Sequence, residues 1–97
     1  MPSPFLSLII PAYNEENRLP QTLEQVFAFL VGEDYLSEVI VVENGSTDKT
    51  LELAQKLSKK YANLRVLQNE KAGKGLAVQR GMLAAKGEYR IFCDADL

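Results

Sequence analysis

The chain of 97 residues contains no histidine and one cysteine, and these two shortages remove whole classes of chemistry. Without histidine this segment holds no Ser-His or Cys-His relay and no His-ligated zinc. Any metal bound here is held by oxygen. The lone thiol, Cys93, has no internal disulfide partner, and its place in an apolar run marks it as a buried, reduced filler. Long apolar runs are also missing. The run at residues 6–10 is too short for a signal peptide or a membrane span, and Met1-Pro2-Ser3-Pro4-Phe5 lacks the positive charge that would precede a leader. The expected location is cytoplasmic. Basic charge is not in excess either: 11 Lys and Arg stand against 13 Asp and Glu, giving −2 and a pI near 5.1. The basic residues are scattered, which argues against a nucleic-acid partner.

What is present is the composition of a soluble globular domain, 46% hydrophobic and 25% charged. The length allows one small domain with a core and half of a site. Phe5-Leu6-Ser7-Leu8-Ile9-Ile10 is nearly continuous in its hydrophobicity, as a strand buried on both faces would be, and Pro11 is expected to stop it. Over residues 17–31, Leu19, Leu23, Val26, Phe27 and Leu30 recur at helical spacing, with Pro20 in the first turn and Gly32 at the end. Glu38-Val39-Ile40-Val41-Val42 predicts a second buried strand, running into the turn Glu43-Asn44-Gly45-Ser46.

Ser46 or Thr47 then suits a helix cap, with Asp48 in the first turn and Leu51, Ala54, Leu57 and Tyr61 as the buried stripe. Residues 64–68 predict a third strand, and residues 69–75 a glycine-punctuated loop in which Gly73 and Gly75 allow close backbone approach or positive φ. The helix expected at residues 76–86 carries Ala77, Gly81, Ala84 and Ala85, small residues that let it lie close to a sheet. Gly87 ends it, and Glu88-Tyr89-Arg90-Ile91-Phe92-Cys93 leads into Asp94-Ala95-Asp96-Leu97. The order βαβαβαβ predicts an α/β, Rossmann-like open parallel sheet with right-handed crossovers. The expected strand order is 3-2-1-4, which opens a crevice at the carboxyl ends of strands one and four.

In a parallel sheet every loop that follows a strand emerges on the same edge. Four loops therefore gather there: Pro11-Ala12-Tyr13-Asn14-Glu15, Glu43-Asn44-Gly45-Ser46, residues 70–75, and Asp94-Ala95-Asp96. Each has a plain reading when taken alone. Asn14 can cap a helix while Tyr13 packs, and Asn44-Gly45 is a common turn pair. Gly73-Lys74-Gly75 is not a P-loop, because no Ser or Thr follows the lysine, and no glycine-rich fingerprint follows the first strand. Asp94-Ala95-Asp96 is the most informative. Its plain reading is a solvated strand end, but two carboxylates one residue apart at the end of a buried strand are costly unless something positive sits there. Mg²⁺ or Mn²⁺ prefers such oxygen ligands and commonly bridges them to substrate phosphates, which suits a nucleotide diphosphate.

Taken together and in order, Ile10-Pro11-Ala12-Tyr13-Asn14-Glu15-Glu16, Val41-Val42-Glu43-Asn44-Gly45-Ser46-Thr47-Asp48, Gly73-Lys74-Gly75 with Arg80-Gly81, and Gly87-Glu88-Tyr89 leading to Asp94-Ala95-Asp96-Leu97 resemble glycosyltransferase family 2. The likeness is strongest to its polyprenyl-phosphate branch, the dolichyl-phosphate mannose and glucose synthases. The resemblance implies the nucleotide-binding half of a GT-A fold and inverting transfer of a hexose from a GDP- or UDP-sugar. By that analogy Pro11, Tyr13 and Glu15 line the base and ribose pocket, Val42, Glu43 and Asn44 complete it, and Asp94, Ala95 and Asp96 meet the diphosphate and its Mg²⁺ or Mn²⁺. Asp94 and Asp96 are then the metal ligands and the catalytic pair, and Lys74, Gly75 and Arg80 are candidate phosphate or sugar contacts. The usual Asp-Asp-Gly-Ser turn reads Glu43-Asn44-Gly45-Ser46 here, so an amide stands where the family has a base-reading carboxylate.

A metal that neutralises the departing diphosphate is the expected source of leaving-group help. A polyprenyl-phosphate acceptor is already ionised and needs no strong base, whereas a saccharide hydroxyl does. The resemblance also implies that residues 1–97 are the nucleotide-sugar-binding N-terminal part of a longer domain, cut after the Asp-Ala-Asp. Such a piece is expected to bind donor without turnover, to meet a membrane only through parts beyond it, and to self-associate through the exposed edge of strand four. Two other readings stand beside this one: a sugar-nucleotidyltransferase, and a non-catalytic α/β nucleotide-binding module.

Overall fold

A computed structural model describes residues 3–69 and 73–94, apart from the side chain of Lys74. The elements run β1 (Leu6–Ala12), α1 (Leu19–Val31), β2 (Ser37–Glu43), α2 (Thr50–Lys60), β3 (Leu64–Gln68), α3 (Lys74–Ala84) and β4 (Tyr89–Phe92). The strands form one four-stranded sheet in the order β3-β2-β1-β4, parallel at every pairing. This is the expected Rossmann-like order. The direction of winding reverses between β1 and β4, so the crevice expected of an open α/β sheet lies at the carboxyl ends of those strands.

Alternation along the central strands builds two cores. Ile10, Ala12, Val39 and Val41 face α1 and α2, where Leu19, Leu23, Val26, Phe27, Leu30 and Ala54 cover them. Ile9, Ile40 and Val42 face the other way, against Ala77 and Ala85 of the α3 region. A strand with both faces covered must be apolar throughout, which is why β1 and β2 read as continuous hydrophobic runs. The small residues of α3 do what their spacing implies. A Cβ at Gly81 would lie 2.4 Å from Ile9 Cγ2 and 3.2 Å from Val42 Cγ2, so only glycine lets the helix sit this low on the sheet.

Several boundaries differ from expectation. Pro11 does not stop β1, which continues to Ala12 in register with Glu43. The Cys93 N–H donates to Ile9 O at 2.9 Å and the Asn44 N–H to Ala12 O at 2.9 Å. Alternate residues of a strand turn their polar groups to opposite neighbours, so Pro11 turns with Ile9 toward β4. The β1–β4 ladder ends at Ile9 and Phe92, where Pro11 has no N–H to offer the next rung, while the β1–β2 ladder on the other side runs on to Ala12. Helix α3 begins at Lys74, which places Lys74 and Gly75 in its first turn and not in a loop. Helix α2 begins at Thr50, so Asp48 precedes it, and neither Ser46 nor Thr47 caps it. All four residues of β4 are exposed at the sheet edge.

The amino edge is closed by a buried polar network. The Ser7 hydroxyl donates to Glu38 Oε2 at 2.6 Å, and the backbone N–H groups of Lys86 and Gly87 donate to Glu38 Oε2 at 2.7 Å and to Ser7 Oγ at 2.8 Å. Arg65 adds its charge, with Nε 3.4 Å from Glu38 Oε1, while its Nη2 donates to Ala84 O at 2.7 Å. These bonds fix the α3–β4 connection to β1, β2 and β3, and so set where β4 delivers Asp94.

Candidate functional site at the carboxyl edge

The site is assembled from strand ends. Pro11 and Val42 are paired neighbours in the β1–β2 ladder, and both are buried. Val42 packs in the core beneath α3, so any contact it makes at the rim belongs to its backbone. Glu43 is 2% exposed, and its carboxylate accepts the Ser46 N–H, closing the turn after β2. Asn44 is 4% exposed, with Oδ1 accepting from Asn69 Nδ2 at 3.2 Å. The Asn69 N–H donates to Glu43 O at 2.7 Å, which ties the end of β3 to the same turn.

Tyr13 stands 48% exposed at the end of β1. Glu15 follows, its side chain 22% exposed and Oε2 4.0 Å from Arg18 Nε, and that oxygen is buried without a hydrogen-bond partner. Asp94 is exposed one residue past Cys93, which the β1–β4 ladder anchors. Burial pushes the Cys93 thiol up, and the neighbouring Asp94 charge adds to this, so the thiol stays protonated and acts as the expected filler, half-buried against the α1–α2 core. Arg80 is exposed on α3 and its Nη1 donates to Gln68 O at the end of β3. Gly75 has open space where a Cβ would point, so the expected close approach is not at Gly75; Gly73, with φ of +149°, is the position that needs glycine.

Ala95, Asp96 and residues 70–72 lie outside the described residues, as does the side chain of Lys74. Among the described residues there is no group of three His, Cys, Asp or Glu side chains placed to hold a metal. Asp94 is an exposed carboxylate one residue past Cys93, and its sequence neighbour Asp96 lies outside the described residues. The Glu43 carboxylate, at the end of β2, is committed to its own turn.

One feature escaped the sequence reading. The β1–α1 and β2–α2 loops are locked together by side chains. Consecutive backbone N–H groups of Asn14, Glu15 and Glu16 donate to Ser46 Oγ at 3.0 Å, Thr50 Oγ1 at 2.8 Å and Asp48 Oδ2 at 3.3 Å. In return Asn14 Oδ1 accepts the Thr47 N–H at 2.9 Å and the Thr47 hydroxyl at 3.3 Å. Asp48 Oδ1 also takes the Thr50 N–H at 2.9 Å and the Thr50 hydroxyl. Desolvation raises the Asp48 carboxyl, but the hydrogen bonds from Thr50 and from the backbone of Glu16 outweigh it and hold the group below its ordinary value. The signal was the density of short polar residues in Ser46-Thr47-Asp48-Lys49-Thr50, more than one helix cap requires.

Residues 7–97 match the family model described as glycosyl transferase family 2. The chain belongs to that family. The family 2 chain is 48% identical to a dolichyl-phosphate beta-glucosyltransferase of Drosophila melanogaster, across 98% of its own length and 32% of the relative's. It is 37% identical to the Homo sapiens dolichyl-phosphate beta-glucosyltransferase, again over 98% of the chain and 32% of the relative. It therefore spans about a third of the length of the curated relatives it matches. Among solved structures it is similar to the mannosyltransferase PcManGT from Pyrobaculum calidifontis, in complex with GDP-Man and Mn²⁺, with a TM-score of 0.83, 26% identity, and 99% of this chain and 28% of that one covered. It is also similar to S. aureus TarS in complex with UDP, with a TM-score of 0.78, 34% identity, and coverage of 94% and 27%. The family 2 chain thus carries the Rossmann-like part of a GT-A fold. Membership leaves the nucleotidyltransferase alternative without support.

Proposed function

We propose that the protein containing this chain transfers a hexose from a nucleotide diphosphate sugar to dolichyl or another polyprenyl phosphate, and that residues 1–97 supply the donor-binding part. The observation that carries this is the 48% identity, spread over nearly the whole chain, to a dolichyl-phosphate beta-glucosyltransferase. It favours glucose over the mannose that the sequence reading also allowed. UDP and GDP both remain donor nucleotides in this reading, because similar structures hold GDP-Man in one case and UDP in another.

In this reading Tyr13 offers an exposed ring for the base to stack on, and Asn44 reads the base edge from its buried turn. Glu15 brings a carboxylate oxygen with no hydrogen-bond partner, able to accept from a ribose hydroxyl. Pro11 and Val42 shape the floor between them. Arg80, and with it Lys74 and Gly75 at the start of α3, lies on the phosphate side. Asp94 and Asp96 would hold a divalent cation, whose charge offsets that building on the departing diphosphate. The acceptor phosphate is already ionised, so no general base is asked of this chain. Acceptor binding, membrane contact and turnover belong to parts beyond these residues, at the cytoplasmic face of a membrane.

Thermal unfolding with and without UDP or GDP, each with Mn²⁺, tests the reading. A rise in midpoint with at least one nucleotide supports it. No rise with either, at concentrations up to the millimolar range, favours a non-catalytic module.

A further inference from the structure

The lock between the β1–α1 and β2–α2 loops holds more side chains than either helix start needs. Thr50 is fully buried, and its single hydroxyl donates to Asp48 while accepting the Glu15 N–H. Asn14 sits at φ of +53°, a left-handed conformation that its side-chain bonds to Thr47 hold in place. Tyr13, immediately before it, keeps 48% of its surface exposed, so its position is set less by burial than by the backbone that follows. On the other loop, Asn44 lies two residues before Ser46, which receives the Asn14 N–H. Tyr13 and Asn44, the two groups assigned to the base in the donor-binding reading, thus lie on opposite jaws of one clamp.

We infer that Asn14, Asp48 and Thr50 are positioning residues for the nucleotide. They fix Tyr13 and Glu15 relative to Asn44 before any ligand arrives, so that binding does not have to order two separate loops. None of the three needs to touch the ligand. This rests on the donor-binding reading above, and it adds that base and ribose affinity depends on the clamp while the metal contribution of Asp94 and Asp96, which follow β4 in the sequence, does not.

Titration calorimetry of the protein with UDP and GDP, each with and without Mn²⁺, compares the unaltered chain with Thr50→Val, Thr50→Ser and Asn14→Gly. Thr50→Val keeps shape but removes the hydroxyl, and should weaken nucleotide binding by about tenfold, the scale of losing one or two hydrogen bonds. Thr50→Ser restores the hydroxyl and should recover most of that affinity. Asn14→Gly keeps access to positive φ while removing the Thr47 contact, so it should weaken binding without preventing folding, and it decides the matter if Thr50→Val fails to fold. In each folded variant the ratio of affinities with and without Mn²⁺ should stay that of the unaltered protein. Unchanged affinity in Thr50→Val and Asn14→Gly, equal losses in Thr50→Ser and Thr50→Val, or loss of the Mn²⁺ ratio would overturn the clamp and leave the donor reading standing. If the unaltered protein binds neither nucleotide, the donor reading fails and the clamp proposal with it.

Discussion

Gly81 and Gly75 lie on the same helix, and the structure separates them. A methyl at Gly81 has nowhere to go against Ile9 and Val42, so Gly81→Ala should destabilise by about 1–3 kcal/mol through overpacking. A methyl at Gly75 meets open space in the first turn of α3, and Gly75→Ala should gain about 0.5–1 kcal/mol from lower chain entropy. Urea unfolding of both variants checks the contrast, and a costly Gly75→Ala would contradict its place in the first turn of α3. Asp48 makes a second prediction at this scale. Hydrogen bonds hold its folded-state carboxyl below its ordinary value, so its contribution to stability is fully present above the unfolded value and is lost as pH falls through the lowered folded one. Asp48→Asn should therefore destabilise near pH 6 and have less effect near pH 2. An Asp48→Asn protein that loses the same stability at both pH values would show that the charge is irrelevant.

At the scale of elements, the strands and their order were legible because a doubly covered parallel strand has little choice of composition. Val39-Ile40-Val41-Val42 must be apolar on both sides, and alternation with helical stripes then leaves few topologies. The connections were less legible. A proline normally ends a central strand, but Pro11 turns its missing donor toward β4, so it interrupts only that ladder and the β1–β2 ladder continues to Ala12. The loop clamp was hidden because its partners lie 32 to 35 residues apart, beyond the reach of any local capping rule. Ser7 was hidden for the same reason, since its partner Gly87 is 80 residues away. Ser7→Ala removes the acceptor for the Gly87 N–H and a donor to Glu38, and should cost about 1–3 kcal/mol. A urea midpoint within error of the unaltered protein would show that the network is incidental.

For the molecule as a whole, the sheet gathers its strand-end loops along the carboxyl edge and leaves β4 bare along its side. Tyr89, Ile91 and Phe92 of β4 are 60%, 52% and 47% exposed, so we propose that the 97-residue polypeptide on its own self-associates through this edge. Sedimentation should show concentration-dependent association that Ile91→Lys reduces; a monomer at all concentrations would count against it. We propose that Asp94 and Asp96 bind a divalent cation only together with a nucleotide diphosphate, because two carboxylates leave most of the octahedral shell to be filled by phosphate and water. The direct measurement is calorimetric titration of UDP and GDP into the unaltered protein and into Asp96→Asn, each with and without Mn²⁺. Mn²⁺ should strengthen binding of at least one nucleotide, and Asp96→Asn should abolish this strengthening while leaving the fold and the metal-free affinity in place. Nucleotide binding that is indifferent to Mn²⁺, or a Mn²⁺ effect that survives in Asp96→Asn, would contradict it.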